Sequence, residues 1–277
     1  MQKYSVLMSL YYKEDPDTVR TAVDSMLNQT VPTDDFVIVC DGPLTPALDT
    51  LLAELVSENP GIFQILRLPE NRGIGYAANI GLQACKYDLV AKMDADDISM
   101  PERCALQLAQ FNRDPQLAIC GGYIEEFDDD PMKPFAVRAV PLAHEAIYEY
   151  GRRRQAFNNM TVMYRREVVL AIGGYSDLRR NEDYDMYARL MAGGYRGSNL
   201  SDILVKARVD REAHQRRGSM VTLKGCIHSR WRAYRIGYTR FGDFLYCVVG
   251  QLMLVLCPAK LQQWIYVTFL RKSVKTC

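Results

Sequence analysis

The 277-residue sequence has eight cysteines but no Cys-x-x-Cys pair, only three histidines, and no uncharged apolar run long enough to cross a bilayer. A chain this long buries a core without disulfide staples, so the cysteines, several of them inside apolar runs, read as buried thiols in a reducing compartment. The N-terminus "MQKYSVLMSL" lacks the apolar core and small-residue cleavage site of a secretory signal and reads as a first strand. The longest uncharged apolar stretch, Phe244 to Cys257, falls short of the roughly 20 residues a spanning helix needs, and Pro258 interrupts it. The net charge is only +1, so bulk charge points to no partner, and no internal repeat or low-complexity linker is present. The first turn, "SLYYKEDP", contains no glycine, which argues against a phosphate loop or dinucleotide turn there.

What is present is alternation. "YSVLMSL", "FVIVC", "FQILRL" and "DLVAKMD" are strand-like, and they are separated by "PDTVRTAVDSMLNQ", "PALDTLLAELVSEN" and "IGYAANIGLQAC", which have helical spacing. Ser99 and Glu102 flank Pro101 as a capping box for a helix over "SMPERCALQLAQFN". Near-continuous apolar strands alternating with helices predict a mostly parallel sheet covered on both faces. In such sheets ligands gather at the carboxyl ends of the strands, here Tyr11, Asp41, Asn71 to Gly73, and Asp94 to Asp97. Further on, "NNMTVMYRREVVLAIGGY" predicts strand, helix and glycine turn, "NEDYDMYARLMAGG" a short helix, and "DILVKARV" a final strand. From Arg217 on, the chain reads as helical.

Three acidic residues, Asp94, Asp96 and Asp97, crowd the end of "VAKMDADD". In an extended segment Asp94 and Asp96 point the same way and repel, unless a cation or good hydrogen bonds compensate. A hard divalent ion held with substrate phosphates is one compensation, and an Asx turn with a helix cap is the other. Gly73-x-Gly75-x-x-Ala78 matches the dinucleotide fingerprint, with Asp94 about 20 residues on, but it follows the third strand rather than the first. Glu182, Asp183 and Asp185 are accounted for by favourable charge at a helix N-terminus, and a general base is the functional alternative. His214, Arg216 and Arg217 sit in a basic loop suited to phosphate or metal, or simply to solvent. His144 and His228 have no motif around them.

From Lys206 to Arg240 there are ten Lys and Arg against Asp210 and Glu212, a local excess of eight positive charges that attracts phosphates. Beyond it, "FGDFLYCVVGQLMLVLCPAKLQQWIYVTFLRK" combines apolar runs with Trp264, Tyr266 and basic flanks. It reads as an interfacial membrane anchor in preference to a helix pair packed on the core.

Taken in order, "SVLMSLYYKEDP", "FVIVCDGP", "LPENRGIGYAANIGL", "VAKMDADDISMPERCALQ", "IGGYSDLRRNEDYDMYARL" and "VKARVDREAHQRRGS" resemble the family-2 glycosyltransferases of the GT-A fold. The bacterial enzymes that build capsular, exo- and O-antigen polysaccharide are the nearest kind. The resemblance covers about residues 3 to 220. It implies an α/β GT-A unit over residues 1–216, Rossmann-like and mostly parallel with helices on both faces, and a C-terminal helical, membrane-associating extension over 217–277. It implies inverting transfer of a sugar from a nucleotide-diphosphate donor, a UDP-sugar by preference, to a lipid-linked or oligosaccharide acceptor, at the cytoplasmic face of the cell membrane and without nucleic acid. Tyr11, Glu14, Asp41, Arg72, Asp94 and Ala95 would line the nucleotide and donor, and Arg216 and Arg217 would neutralise the diphosphate. Asp96 would ligate Mn2+ or Mg2+, with His214 a looser match. Asp183 would deprotonate the acceptor hydroxyl, and Glu182 and Asn158 would lie on the acceptor side. The competing readings are a nucleotidyltransferase that makes sugar nucleotides, an NAD(P)-binding oxidoreductase, and a membrane-associated binding module without activity.

Overall fold

A computed structural model describes residues 2–209 and 219–256, and the backbone of 272–273. The first half alternates as expected: β1 (Tyr4–Leu10), α1 (Pro16–Leu27), β2 (Phe36–Cys40), α2 (Pro46–Glu58), β3 (Phe63–Arg67), α3 (Ile74–Ala84) and β4 (Leu89–Met93). Local chemistry starts the helices. The Asp15 carboxylate accepts from Thr18 N at 3.0 Å with Pro16 at the first helical position, and Thr45 with Pro46 does the same for α2. The strands β3, β2, β1 and β4 lie side by side in that order, all parallel. Every residue of β2 and β4 is buried.

Alternate residues of β1 feed two cores. Val6, Met8 and Leu10 pack with Val19, Val23 and Met26 of α1 and with Leu48 and Leu52 of α2. Leu7, with Val37 and Val39 of β2, packs against Ala77, Ala78 and Leu82 of α3 on the opposite face.

After β4 come β5 (Ile98–Ser99), α4 (Arg103–Arg113), β6 (Leu117–Phe127), β7 (Ala136–Arg138), α5 (His144–Gly151), a 3-10 turn (Asn159–Thr161), β8 (Met163–Arg165), α6 (Arg166–Ala171), α7 (Glu182–Ala192) and β9 (Arg196–Arg208). β8 is antiparallel to both β4 and β6, and β6 runs parallel to β9 along its whole length. β9 begins well before the expected "DILVKARV", because Arg196–Leu200 already pair with β6. The capping box does not form. Ser99 belongs to β5, where its N–H donates to Ser25 Oγ and its hydroxyl accepts from Gln29 Nε2, and Glu102 caps α4 by backbone alone. Tertiary partners outcompete the local cap.

Two more helices follow, α8 (Met220–Arg235) and α9 (Phe241–Leu256), and Lys272–Ser273 (β10) pairs with β7 rather than continuing a helix. No helix among the described residues is long and apolar enough to cross a membrane.

Candidate functional site

The carboxyl ends of β2 and β4, together with the N-termini of α3 and α7, form one neighbourhood. Asp41, just past β2, is buried and accepts from the backbone N–H groups of Arg72 and Gly73 at 2.8 and 2.9 Å. Asn71 returns the contact, donating from Nδ2 to Asp41 O at 3.1 Å. Gly42 has φ +91° and sits so close to this loop that a β-carbon would lie 2.8 Å from Asn71 N. Asp41 therefore shapes the loop entering α3, and Arg72 on that loop stacks over the Tyr76 ring at 3.8 Å. Tyr11 and Glu14 lie in the turn after β1, joined by Glu14 N–H to Tyr11 O at 3.1 Å, and Leu10 just before them accepts from Asp41 N–H at 2.7 Å.

The acidic segment is a turn, not an extension of the strand, so the alternation expected for Asp94 and Asp96 does not hold. β4 stops at Met93, and the chain turns at Asp94 to Asp97 to enter β5, which pairs with β9. Each carboxylate has its own setting. Asp94 accepts from the Lys92 ammonium at 2.6 Å, and that lysine is only 1% exposed. Asp97 is buried and accepts from Arg208 N at 2.9 Å through Oδ1. Its Oδ2 is buried with no hydrogen-bond partner among the described residues. Burial, and then the charges of Asp96 and Asp94, push the Asp97 carboxyl well above the usual range. Asp96 is half-buried on the same turn, next to the buried Ala95.

Beneath the turn lies a second cation, Arg103, fully buried. It donates to Lys92 O at 2.6 Å and to Gln107 Oε1 at 3.2 Å, and the charges of Asp94 and Asp97 reach it. Buried charges persist only when compensated, and here Lys92 and Arg103 both lie within electrostatic reach of Asp94 and Asp97. The sequence held a signal for Lys92: it is the one charge in an apolar strand, at i−2 from Asp94.

Opposite the turn, Asp183 occupies the first turn of α7. Asn181 caps that helix with φ +63°, and the loop before it is fixed to α3 by Asn79, whose amide both donates to Tyr175 O at 2.8 Å and accepts from Tyr175 N at 2.7 Å. A β-carbon on Gly75 would lie 2.4 Å from Ser176 O and 3.4 Å from Glu182 Cβ, so the glycine pattern of "GIGYAANIG" permits helix-to-loop packing here. Asp183 accepts from Tyr184 N at 2.7 Å and from Gln155 Nε2 at 2.6 Å. Burial raises its pKa, and the charge of Asp94 raises it further. Burial and then Asp183 push Glu182 up to about 8, with Asp94 contributing again. Asp94, Glu182 and Asp183 thus lie within electrostatic reach of one another, although 88 residues separate Asp94 from Glu182. Gln155 carried no local sequence signal.

Asn158 is fully buried and donates from Nδ2 to Gly122 O at 2.8 Å and to Arg138 O at 3.3 Å. His144 accepts from Gly197 N–H. His214, Arg216 and Arg217 lie outside the described residues. Among the described residues no group of three or more His, Cys, Asp or Glu could hold a metal. The acidic turn nonetheless offers only hard oxygen donors, one of them buried and unpartnered, and this suits a hard cation bound through one or two carboxylates plus ligand phosphates.

The chain is 39% identical over 274 residues to an uncharacterized glycosyltransferase of Haemophilus influenzae, covering 98% of this chain and all of that one. It is 32% identical to the amylovoran biosynthesis glycosyltransferase AmsE of Erwinia amylovora, covering 95% and 97% of the two chains. It is 28% identical to an Escherichia coli UDP-Gal:alpha-D-GlcNAc-diphosphoundecaprenol beta-1,3-galactosyltransferase, covering 98% and 97%. Among solved structures, the mannosyltransferase PcManGT of Pyrobaculum calidifontis with GDP-Man and Mn2+ superposes with a TM-score of 0.66 at 16% identity, covering 96% of this chain and 75% of that one. Residues 1–349 of S. aureus TarS with UDP superpose with a TM-score of 0.62 at 17% identity, covering 95% and 78%. These neighbours share the GT-A architecture. The model of glycosyl transferase family 2 matches residues 5–171, the stretch that carries Asp41, the α3 loop and the acidic turn, and the chain belongs to that family.

Proposed function

We propose that this enzyme transfers a sugar, with inversion, from a UDP-sugar to a saccharide carried on a lipid diphosphate, in the synthesis of a bacterial surface polysaccharide. The observation that carries the reading is the convergence of Asp94, on the acidic turn, with Asp183 at the start of α7. The E. coli relative, named for a UDP-Gal donor and a diphosphoundecaprenol acceptor, and the UDP bound to TarS support the choice of nucleotide and acceptor.

In this reading Tyr11, Glu14, Asp41 and Arg72 surround the uridine, and Asp94 and Ala95 meet the ribose or donor sugar. Asp183 accepts the proton of the acceptor hydroxyl while that oxygen attacks the anomeric carbon. The bond to the diphosphate breaks as the new C–O bond forms on the opposite face, so no covalent intermediate arises. Glu182 and Asn158 belong to the acceptor side, Glu182 facing the acceptor and Asn158 acting from the layer beneath. Arg216 and Arg217 neutralise the departing nucleoside diphosphate. Asp96, with His214, would hold Mn2+ or Mg2+, which when bound supplies charge compensation at the diphosphate. A raised pKa at Asp183 suits a proton acceptor, and the Gln155 and Tyr184 donors keep it aimed.

Thermal-shift measurement across nucleoside diphosphates and nucleotide sugars with Mn2+ tests the donor assignment. UDP with Mn2+ is expected to raise the melting temperature, by an amount equivalent to about 2.7 kcal/mol at a hundredfold excess over Kd. A shift with GDP or NAD(P) and none with UDP would overturn it. The transfer assay follows label from the stabilising nucleotide sugar into a saccharide-diphosphate-lipid.

The enzyme works at the inner membrane surface in this reading, with residues 1–216 as the catalytic unit and 217–277 as the attachment. α9 is about 24 Å long at 1.5 Å per residue, short of the roughly 30 Å hydrocarbon core. It exposes Leu245, Val249, Leu252, Met253 and Leu256, while α8 presents exposed Trp231 with Arg232 and Arg235 nearby. An apolar face with aromatic and basic neighbours suits an interface bearing anionic lipid. Cosedimentation with vesicles containing phosphatidylglycerol is expected for the full chain, with most of it lost in Leu245→Glu/Leu252→Glu. Undiminished binding by that variant, or none by the parent, would remove α9 from the attachment.

A further inference from the structure

α8 and α9 reach the candidate base from behind. Asp243, in the first turn of α9, is 2% exposed and accepts from Arg152 at 2.5 Å and from Arg153 at 2.6 Å. Those arginines directly follow α5, and two residues beyond Arg153 on the same loop Gln155 donates to Asp183 at 2.6 Å. The two helices hold this loop along its length. Arg230 donates to Gly151 O at 3.4 Å and to Arg152 O at 3.2 Å, and the Cys247 thiol donates to Arg153 O at 3.3 Å. A β-carbon on Gly151 would lie 2.2 Å from the Tyr238 hydroxyl, which itself donates to Tyr148 O at 2.9 Å.

The other flank of Asp183 is held too. A β-carbon on Gly225 of α8 would lie 2.5 Å from Arg180 O, immediately before the α7 cap, and the Arg230 guanidinium stacks over the Tyr184 ring at 3.5 Å. Gln155 Oε1 is buried with no hydrogen-bond partner among the described residues. The amide therefore has no second hydrogen bond there to orient it, and its aim at Asp183 depends on where the loop backbone is held.

We propose that Asp243 is a positioning residue for sugar transfer: by gripping Arg152 and Arg153 it seats the loop that holds Gln155 against Asp183. The inference rests on the reading of Asp183 as the base. A buried carboxylate clamped by two guanidiniums adds little net stability but fixes geometry, because each of its oxygens accepts from a different arginine, Oδ2 from Arg152 and Oδ1 from Arg153. The helices proposed to meet the membrane are then also part of the catalytic apparatus.

The test is a double-mutant cycle in the full chain with Asp243→Asn, Gln155→Leu and both together. It reads kcat in the transfer assay and UDP affinity with Mn2+ present. Each single variant is expected to lower kcat roughly 10- to 100-fold, the scale of a displaced reacting group, with donor KM and UDP affinity within about twofold. The double variant is expected to fall no further than the worse single one, because both act through one contact. Multiplying losses, or an unchanged kcat in Asp243→Asn, would overturn the proposal. Removing one member of a buried ion pair is destabilising, so Arg153→Met is carried through the same cycle. Its side chain is 59% exposed, and additive loss with Gln155→Leu there overturns the proposal equally. Asp183→Asn separates the two ideas. Wild-type kcat in that variant removes the base assignment, whereas loss of kcat combined with an additive cycle removes only the role of Asp243.

Discussion

Asp183→Asn is expected to lower kcat by roughly 10²- to 10⁴-fold, the range a positioned general base contributes, while UDP affinity stays within about twofold. Loss of that size corresponds to about 3–5 kcal/mol of barrier at 1.36 kcal/mol per tenfold. The geometry singles out this residue among the three acids on the first turn of α7. Asp185 is committed to Arg189 at 2.9 Å, and burial and the neighbouring Asp183 charge push Glu182 up to about 8. Asp183 is oriented by two donors and keeps solvent contact. The same substitution checks the electrostatics through stability. A carboxyl whose folded pKa lies above its unfolded value resists ionisation in the fold, so its stabilising contribution is present at low pH and is lost as pH rises through the folded value. Asparagine does not ionise, so the melting temperature at neutral pH is expected to be unchanged or higher. Retained activity would show that another group accepts the proton, and a collapse in melting temperature would show that the carboxylate is structural.

Asp96→Ala is expected to abolish the Mn2+-dependent part of the UDP-induced thermal shift and to lower kcat/KM by roughly 10²- to 10³-fold, the effect of removing one element that stabilises developing charge. Asp94 is tied to Lys92 at 2.6 Å, and Asp97 is buried against the Arg208 backbone. Removing Asp97 is expected to disturb the turn itself, whereas removing Asp96 leaves the Lys92–Asp94 and Asp97–Arg208 contacts in place. A Mn2+-dependent shift that survives in Asp96→Ala would move the cation elsewhere or dispense with it. Isothermal titration of Mn2+ into the UDP-bound variant distinguishes those outcomes.

Local patterns made the first half of the chain readable. Val6, Met8 and Leu10 alternate with Leu7 and Ser9, Pro16 and Pro46 mark helix starts, and Gly73 sits where α3 begins, so strands and helices came out in the right order. Elsewhere a distant partner decided the local structure. The local pattern makes Ser99 a cap for α4, yet it pairs in β5 with β9, more than 100 residues on. The acidic stretch reads from sequence either as extended or as an Asx turn, and it turns, because β5 must reach Lys206 and because Asp97 is held by the Arg208 backbone. β7 and α5 leave little trace in the sequence, because "FAVR" and "HEAIYEYG" are short and weakly patterned and pack against β6 and the core around Ile147.

By itself the sequence determined the alternating architecture and the order of its motifs. It also determined that carboxylates would stand at the end of β4, because strand and helix periodicities and cap residues act over a few positions. Only the tertiary structure decided that Asp183 shares a neighbourhood with Asp94, that Lys92 and Arg103 lie within electrostatic reach of Asp94 and Asp97, and that Gln155 and Asp243 stand behind Asp183. Such contacts join residues tens of positions apart, and their energy comes from burial and charge compensation that exist only once the layers have packed.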